Sequence, residues 1–184
     1  MKKIVIFIII IGVAFFFFFT RDDSSPAEQV ETPAENENGS FRPDPSNAIF
    51  IFDDGPITLS AGRNERAVPT GSAFVEETVL LDKYAYGDIN ADGKTDTALF
   101  LVRFGAGSGT FIYLAAFVSG PVTYRGSKTI FIGDRISPQS ISINNNSIVQ
   151  VDYLDRGPDE SFADVPTVPI SKQFIYRGGE FQER

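Results

Sequence analysis

From residue 47 to the C-terminus the chain repeats one local pattern. Short runs of Ile, Val, Phe, Tyr and Thr are broken by Gly, Asn, Asp or Pro, and no segment carries an amphipathic helical period. Strands are the remaining way to bury such runs. Residues 48–52 and 57–59 flank Asp53, Asp54, Gly55 and Pro56, a turn by composition. Residues 74–86 read as one long, bent strand. Residues 97–104 and 110–118 are nearly continuous apolar runs across a Gly-rich turn at 105–109, the pattern of central strands covered on both faces. Residues 129–132, 141–143, 148–153 and 172–176 continue the series, with Asn144, Asn145 and Asn146 forming a hairpin turn. Successive strands on short connections predict an all-β domain, an antiparallel meander folded into a sandwich or a partly closed barrel.

Residues 1–46 carry a different code. Lys2 and Lys3 precede an uninterrupted apolar run at 4–19, closed by Thr20 and Arg21. As a helix it would span about 24 Å, with the flanking cations snorkelling to the interface. The run reads as a single transmembrane anchor within residues 1–21, holding residues 47–184 outside the cytoplasm by the positive-inside rule. The competing reading is a cleaved signal peptide and a secreted product. Cleavage after Gly12, Val13 and Ala14 would leave five consecutive Phe at the new terminus, which argues for retention. Residues 22–46 are acidic, rich in Pro and poor in large aliphatics, the composition of a disordered tether.

Two absences narrow the chemistry. The chain has no Cys, which removes disulfides, thiolate metal sites, thiol nucleophiles and a lipid attached through Cys. It also has no His, which removes Ser-His-Asp hydrolysis and His-based zinc or iron sites. The net charge of −8 divides into +2 from Lys2 and Lys3, −5 from residues 21–46 and −5 from the rest, so nucleic acid is not an expected partner.

The segment 87–96, GDINADGKTD, is the most informative. Oxygen-bearing side chains fall at alternating positions on Asp88, Asn90 and Asp92 and again on Asp96, Gly93 permits a sharp turn, and the Lys94 carbonyl takes position seven. A hard cation such as calcium uses oxygens spaced in this way. Position twelve is Leu99, where a helix-loop-helix site would need Glu. The form D-x-N-x-D-G-x-x-D therefore resembles the strand-flanked calcium loops of integrin-type, FG-GAP-like repeats. The other reading is an acidic turn that binds nothing. No internal repeat accompanies the motif.

Other polar segments are less specific. The turn at 105–109 lacks the G-K-[ST] ending of a phosphate loop, and Ser108 has no His to activate it. Asp134 beside Arg135 forms either a polar ligand site or a strand-end fastener. The loop from Tyr153 to about Pro169 is acidic, and its spacing brings no two carboxylates to a defined separation.

The ordered series YGDINADGKTD, GSGTFIY, IGDRISPQ and VDYLDRGPDE resembles a β-rich domain that recurs in exported bacterial proteins and lipoproteins. That resemblance implies one exported domain and no specific activity. The expected function is a monomeric, membrane-anchored, noncatalytic binding or structural module with a calcium-stabilised loop, acting on an envelope protein or glycan. The alternatives are a carboxylate-dependent hydrolase of envelope glycans and an inhibitor or accessory subunit of an envelope protein.

Overall fold

The computed structural model describes residues 41–67, 75–105 and 109–184, all within the unit Pro33–Arg184. The expected anchor at 4–19, the expected tether up to residue 40 and the centre of the 105–109 turn lie outside the described residues. Within them the protein is all-β, with twelve strands and no helix.

The strands are β1 (Ile49–Phe52), β2 (Gly55–Thr58), β3 (Arg63–Ala67), β4 (Val75–Gly87), β5 (Asp96–Phe104), β6 (Thr110–Val118), β7 (Arg125–Gly126), β8 (Ile130–Asp134), β9 (Ser137–Ile143), β10 (Ile148–Asp155), β11 (Val168–Arg177) and β12 (Glu180–Glu183). They form three sheets. β1 and β2 make a hairpin, β3-β4-β5-β6-β7 run in order with β8 also on β6, and β12-β11-β10-β9 make a four-stranded sheet. Every ladder between these strands is antiparallel. The larger sheet curls into a half-barrel. β7 and β8 pair with successive stretches of β6, at Phe117–Val118 and at Phe111–Leu114, as one interrupted edge strand.

The apolar runs of β5 and β6 are buried on both faces, and the alternation of the strand sorts them into two cores. Ala98, Phe100, Ile112, Leu114 and Ala116 pack toward Val149, Val151 and Phe174 of the four-stranded sheet. Leu99, Leu101 and Ala115 point the other way, onto Phe50, Phe52, Ile57 and Leu59 around the β1–β2 hairpin. Burying each large side chain fully contributes about 1.5–3 kcal/mol, so both cores stabilise this central pair of strands. The predicted bend in β4 is a bulge: pairing with β5 jumps from Leu80 to Tyr84 while the partner advances only from Leu101 to Leu99.

Three details differ from expectation. The first turn is tighter, because Gly55 and Pro56 already belong to β2 and Gly55 takes φ 125°. In the 144–147 turn the left-handed residue is Ser147 (φ 58°), while Asn144 Oδ1 accepts from the Asn146 and Ile148 amides. The packed domain also begins ahead of residue 47. Pro43 and Pro45 are buried, the Thr97 hydroxyl donates to the Pro43 carbonyl at 2.7 Å, and Phe41 packs on Tyr124 at 5.6 Å. Two prolines and an aromatic ring supply apolar surface that a tether would have left in water.

Candidate functional site

The loop at 88–95 joins β4 to β5, beginning where Gly87 pairs with Asp96. Gly93 has φ 82° with nothing within 4 Å of where a Cβ would stand, so conformation rather than space requires glycine there. Ala91 also takes the left-handed region, φ 62°, where a Cβ carries a strain cost.

These reversals fold the loop around its own oxygens. Asp88 Oδ1 and Asn90 Oδ1 each accept from the Asp92 amide at 3.1 Å, so the two oxygens converge on one nitrogen. Asp88 Oδ2 accepts from the Gly93 amide at 2.8 Å, and Asp92 Oδ1 from the Lys94 amide at 2.9 Å. The Lys94 ammonium reaches the Gly120 carbonyl at 3.5 Å.

Asp96 plays a different part. It has no exposed surface, and its carboxylate accepts from the amides of Ile89 (2.9 Å), Asn90 (3.3 Å) and Ser119 (2.8 Å). Burial pushes its carboxyl above the ordinary value, and the three amides pull the other way. Asp88, Asn90 and Asp92 thus gather at the mouth of the loop, while Asp96 is turned inward as a clasp.

Ser119, just past β6, is the residue that sequence reading missed. Its amide serves Asp96, its hydroxyl donates to Asp92 Oδ2, and its carbonyl accepts from the Asn90 side chain at 3.2 Å. The Ser119 hydroxyl is the leading cause that holds the Asp92 carboxyl below its ordinary range. Nothing in the local sequence SGP announces this role, because the partners lie 23 to 29 residues away.

Among the described residues no group of three or more His, Cys, Asp or Glu side chains is drawn together as a metal cluster. The donor set at the mouth is two carboxylates and one amide oxygen, a hard-oxygen chemistry that suits calcium. Asp96 faces amide donors instead, and the Lys94 side chain lies along the β6–β7 connection.

Asp134 and Arg135 fasten a strand end. Asp134 Oδ1 accepts from the Thr110 amide at 2.8 Å, and the Arg135 amide donates to the Thr110 carbonyl at 2.7 Å, locking β8 to the start of β6. The Arg135 guanidinium pairs with Asp134 at 3.2 Å and lies 5.2 Å from the Phe162 ring centre. Arg156 lies 6.0 Å from the same ring and donates to the Arg135 carbonyl, which anchors the acidic 156–167 loop.

A second charged constellation was not legible in the sequence. Arg103 on β5 grips Asp54 with two bonds of 2.8 and 2.6 Å and Glu76 with one of 2.9 Å, and Arg66 bonds both carboxylates as well. The Arg103 guanidinium also lies 5.4 Å from the Phe52 ring centre, so the clamp closes the β1–β2 hairpin over the sheet. The guanidiniums hold both carboxyls below their ordinary range. Neither therefore carries a proton at neutral pH, and this close pair lacks the general acid that glycoside hydrolysis requires.

No protein-family model, curated protein or solved structure matches the chain.

Proposed function

We propose that this chain is a membrane-tethered, extracytoplasmic, noncatalytic binding module whose 88–96 loop is braced by calcium. The observation that carries the reading is the convergence of Asp88 Oδ1 and Asn90 Oδ1 on the single Asp92 amide, with Asp92 itself beside them. A cation at that mouth would offset the repulsion between the Asp88 and Asp92 carboxylates and take its remaining ligands from water. Because no bidentate Glu follows, affinity is expected on the order of 10⁻⁴ to 10⁻³ M, the range of extracellular modules.

Support for a binding rather than a catalytic role comes from the chemistry that is present. The chain has neither His nor Cys, and the Asp54–Glu76 pair is neutralised by arginines. The apolar run at 4–19 would hold the module at a membrane, with an envelope protein or glycan as partner. The test is thermal melting of the full-length chain in uncharged detergent, in calcium-stripped buffer and with millimolar calcium. At free calcium a hundredfold above the dissociation constant, linkage adds about 2.7 kcal/mol and Tm rises by several degrees. The rise should vanish in Asp88→Ala. Identical melting curves with and without calcium would reduce the segment to an acidic turn.

A further inference from the structure

At the end of the domain where Ser119 lies, the two sheets leave a cavity of about 470 Å³ between them. Arg125 of β7 stands on one side and Arg177, the last residue of β11, on the other. We infer that this cavity is a binding site for a small oxyanion, a ligand that presents a carboxylate or phosphate group. The inference deepens the binding-module reading by naming the ligand class, and it does not depend on calcium.

The first ground is charge. The chain has 24 acidic and 16 basic residues, and Arg63, Arg66, Arg103 and Arg135 each form an ion pair. Arg125 and Arg177 have no carboxylate within ion-pair distance among the described residues, and the cavity lining includes no Asp or Glu. Glu180, the cross-strand neighbour of Arg177, is paired with Lys128 at 3.4 Å. In so acidic a protein, two arginines that line one space without a carboxylate partner favour an anion there, and the planar guanidinium fork suits carboxylate and phosphate oxygens.

The second ground is that the two arginines are positioned by the backbone. Arg125 is fixed by pairing with Val118 at the end of β6. Arg177 enters the tight β11–β12 turn, where Gly178 (φ 62°) and Gly179 (φ 94°) are both left-handed, and the Lys128 amide donates to the Gly179 carbonyl at 2.9 Å. Space is open within 4 Å where a Cβ would stand on either glycine, so this wall leaves room for a ligand.

The third ground is the polar company. Asn90 and Ser119 line the cavity from the loop side and Tyr176 from the β11 side, a few polar groups around a cleft of ligand size.

The test titrates the full-length chain, in uncharged detergent and calcium-stripped buffer, with sodium phosphate and separately with sodium glucuronate, against sodium chloride at matched ionic strength. Calorimetry should show saturable one-to-one binding of phosphate, glucuronate or both, with Kd on the order of 1 mM, and none of chloride. The two arms tell which oxyanion the site prefers. Arg125→Gln and Arg177→Gln should each weaken binding by about tenfold, while Arg63→Gln leaves it unchanged. Both altered side chains are exposed, so circular dichroism should show the variants folded. The Arg177→Lys variant, which keeps the charge and loses the fork, should bind between the two. Absence of saturable binding by both anions, or binding equal in wild type and both glutamine variants, overturns the inference. Anion binding that persists where calcium leaves Tm unmoved would sink only the calcium reading.

Discussion

The half-barrel sheet holds acidic residues in two ways. At the Asp54–Glu76 clamp the carboxylates are partly exposed and meet guanidiniums, and their pKa values fall. At the β4–β5 loop Asp96 is fully buried and meets three backbone amides, and its pKa rises because desolvation outweighs the dipoles. A full positive charge compensates a carboxylate better than several partial ones do. The partial ones, however, are rigid parts of the chain and dictate its path. The clamp is thus an attachment between finished elements, whereas the Asp96 clasp shapes the loop itself.

The largest expected effect follows from that distinction. Asp96→Ala removes the one acceptor shared by the Ile89, Asn90 and Ser119 amides, leaving donors that water does not easily reach. The cost should be about 3 kcal/mol, or roughly 10 °C in Tm, read by thermal melting. A loss below that of the Arg103 variant described next would break the comparison.

Arg103→Ala should cost about 1–2 kcal/mol, because Asp54 and Glu76 can rehydrate and Arg66 still serves them. Its signature is in the pH profile. Both clamp carboxyls have folded pKa values below their ordinary 3.8 and 4.5. The clamp's contribution is therefore full above those values and is lost as pH falls through the folded ones. Asp96 has the opposite sign: its contribution is full below 3.8 and is lost as pH rises through the elevated folded value. Urea midpoints measured from pH 2 to 7 should show a shallower acid loss in Arg103→Ala than in the wild type. Parallel acid limbs would mean that the clamp contributes nothing.

Ser119→Ala keeps the amide for Asp96 and deletes the hydroxyl that donates to Asp92 and accepts from the Asn90 side chain, for an expected loss of about 1 kcal/mol. Its Asp92 carboxyl should titrate at higher pH than in the wild type, which side-chain carbonyl NMR can follow. The last comparison is Gly93→Ala. No atom blocks the new methyl group, so only the left-handed φ is penalised, by about 1–2 kcal/mol. A penalty several times larger would mean that the loop has less room than its surroundings indicate.

Much of the strand content was legible because it is written in runs of adjacent residues. The apolar stretches of β5 and β6, the bend in β4 and the hairpins at 53–54 and 144–147 all follow from local periodicity and turn chemistry. The strands that escaped notice, β3 (RNERA), the two-residue β7 and β12 (EFQE), lie at sheet edges. An edge strand buries little and tolerates charge, so it lacks the apolar signature by which strands are recognised. Phe41, Pro43 and Pro45 were read with the acidic tether around them, since composition averages over a window and packing acts on single side chains.

By itself, then, the sequence determined that residues 47–184 would be built of antiparallel strands, that β5 and β6 would be central, and that the 88–96 loop would turn sharply at Gly93. These are consequences of side-chain alternation and allowed backbone angles, which act over a few residues. Tertiary structure alone decided that Ser119 would hold the loop, that Asp96 would turn inward, that Asp54 and Glu76 would share Arg103, and that Arg125 and Arg177 would face one cavity. Each of those meetings depends on the register between strands, and register is set by how whole faces bury against one another rather than by any short stretch of chain.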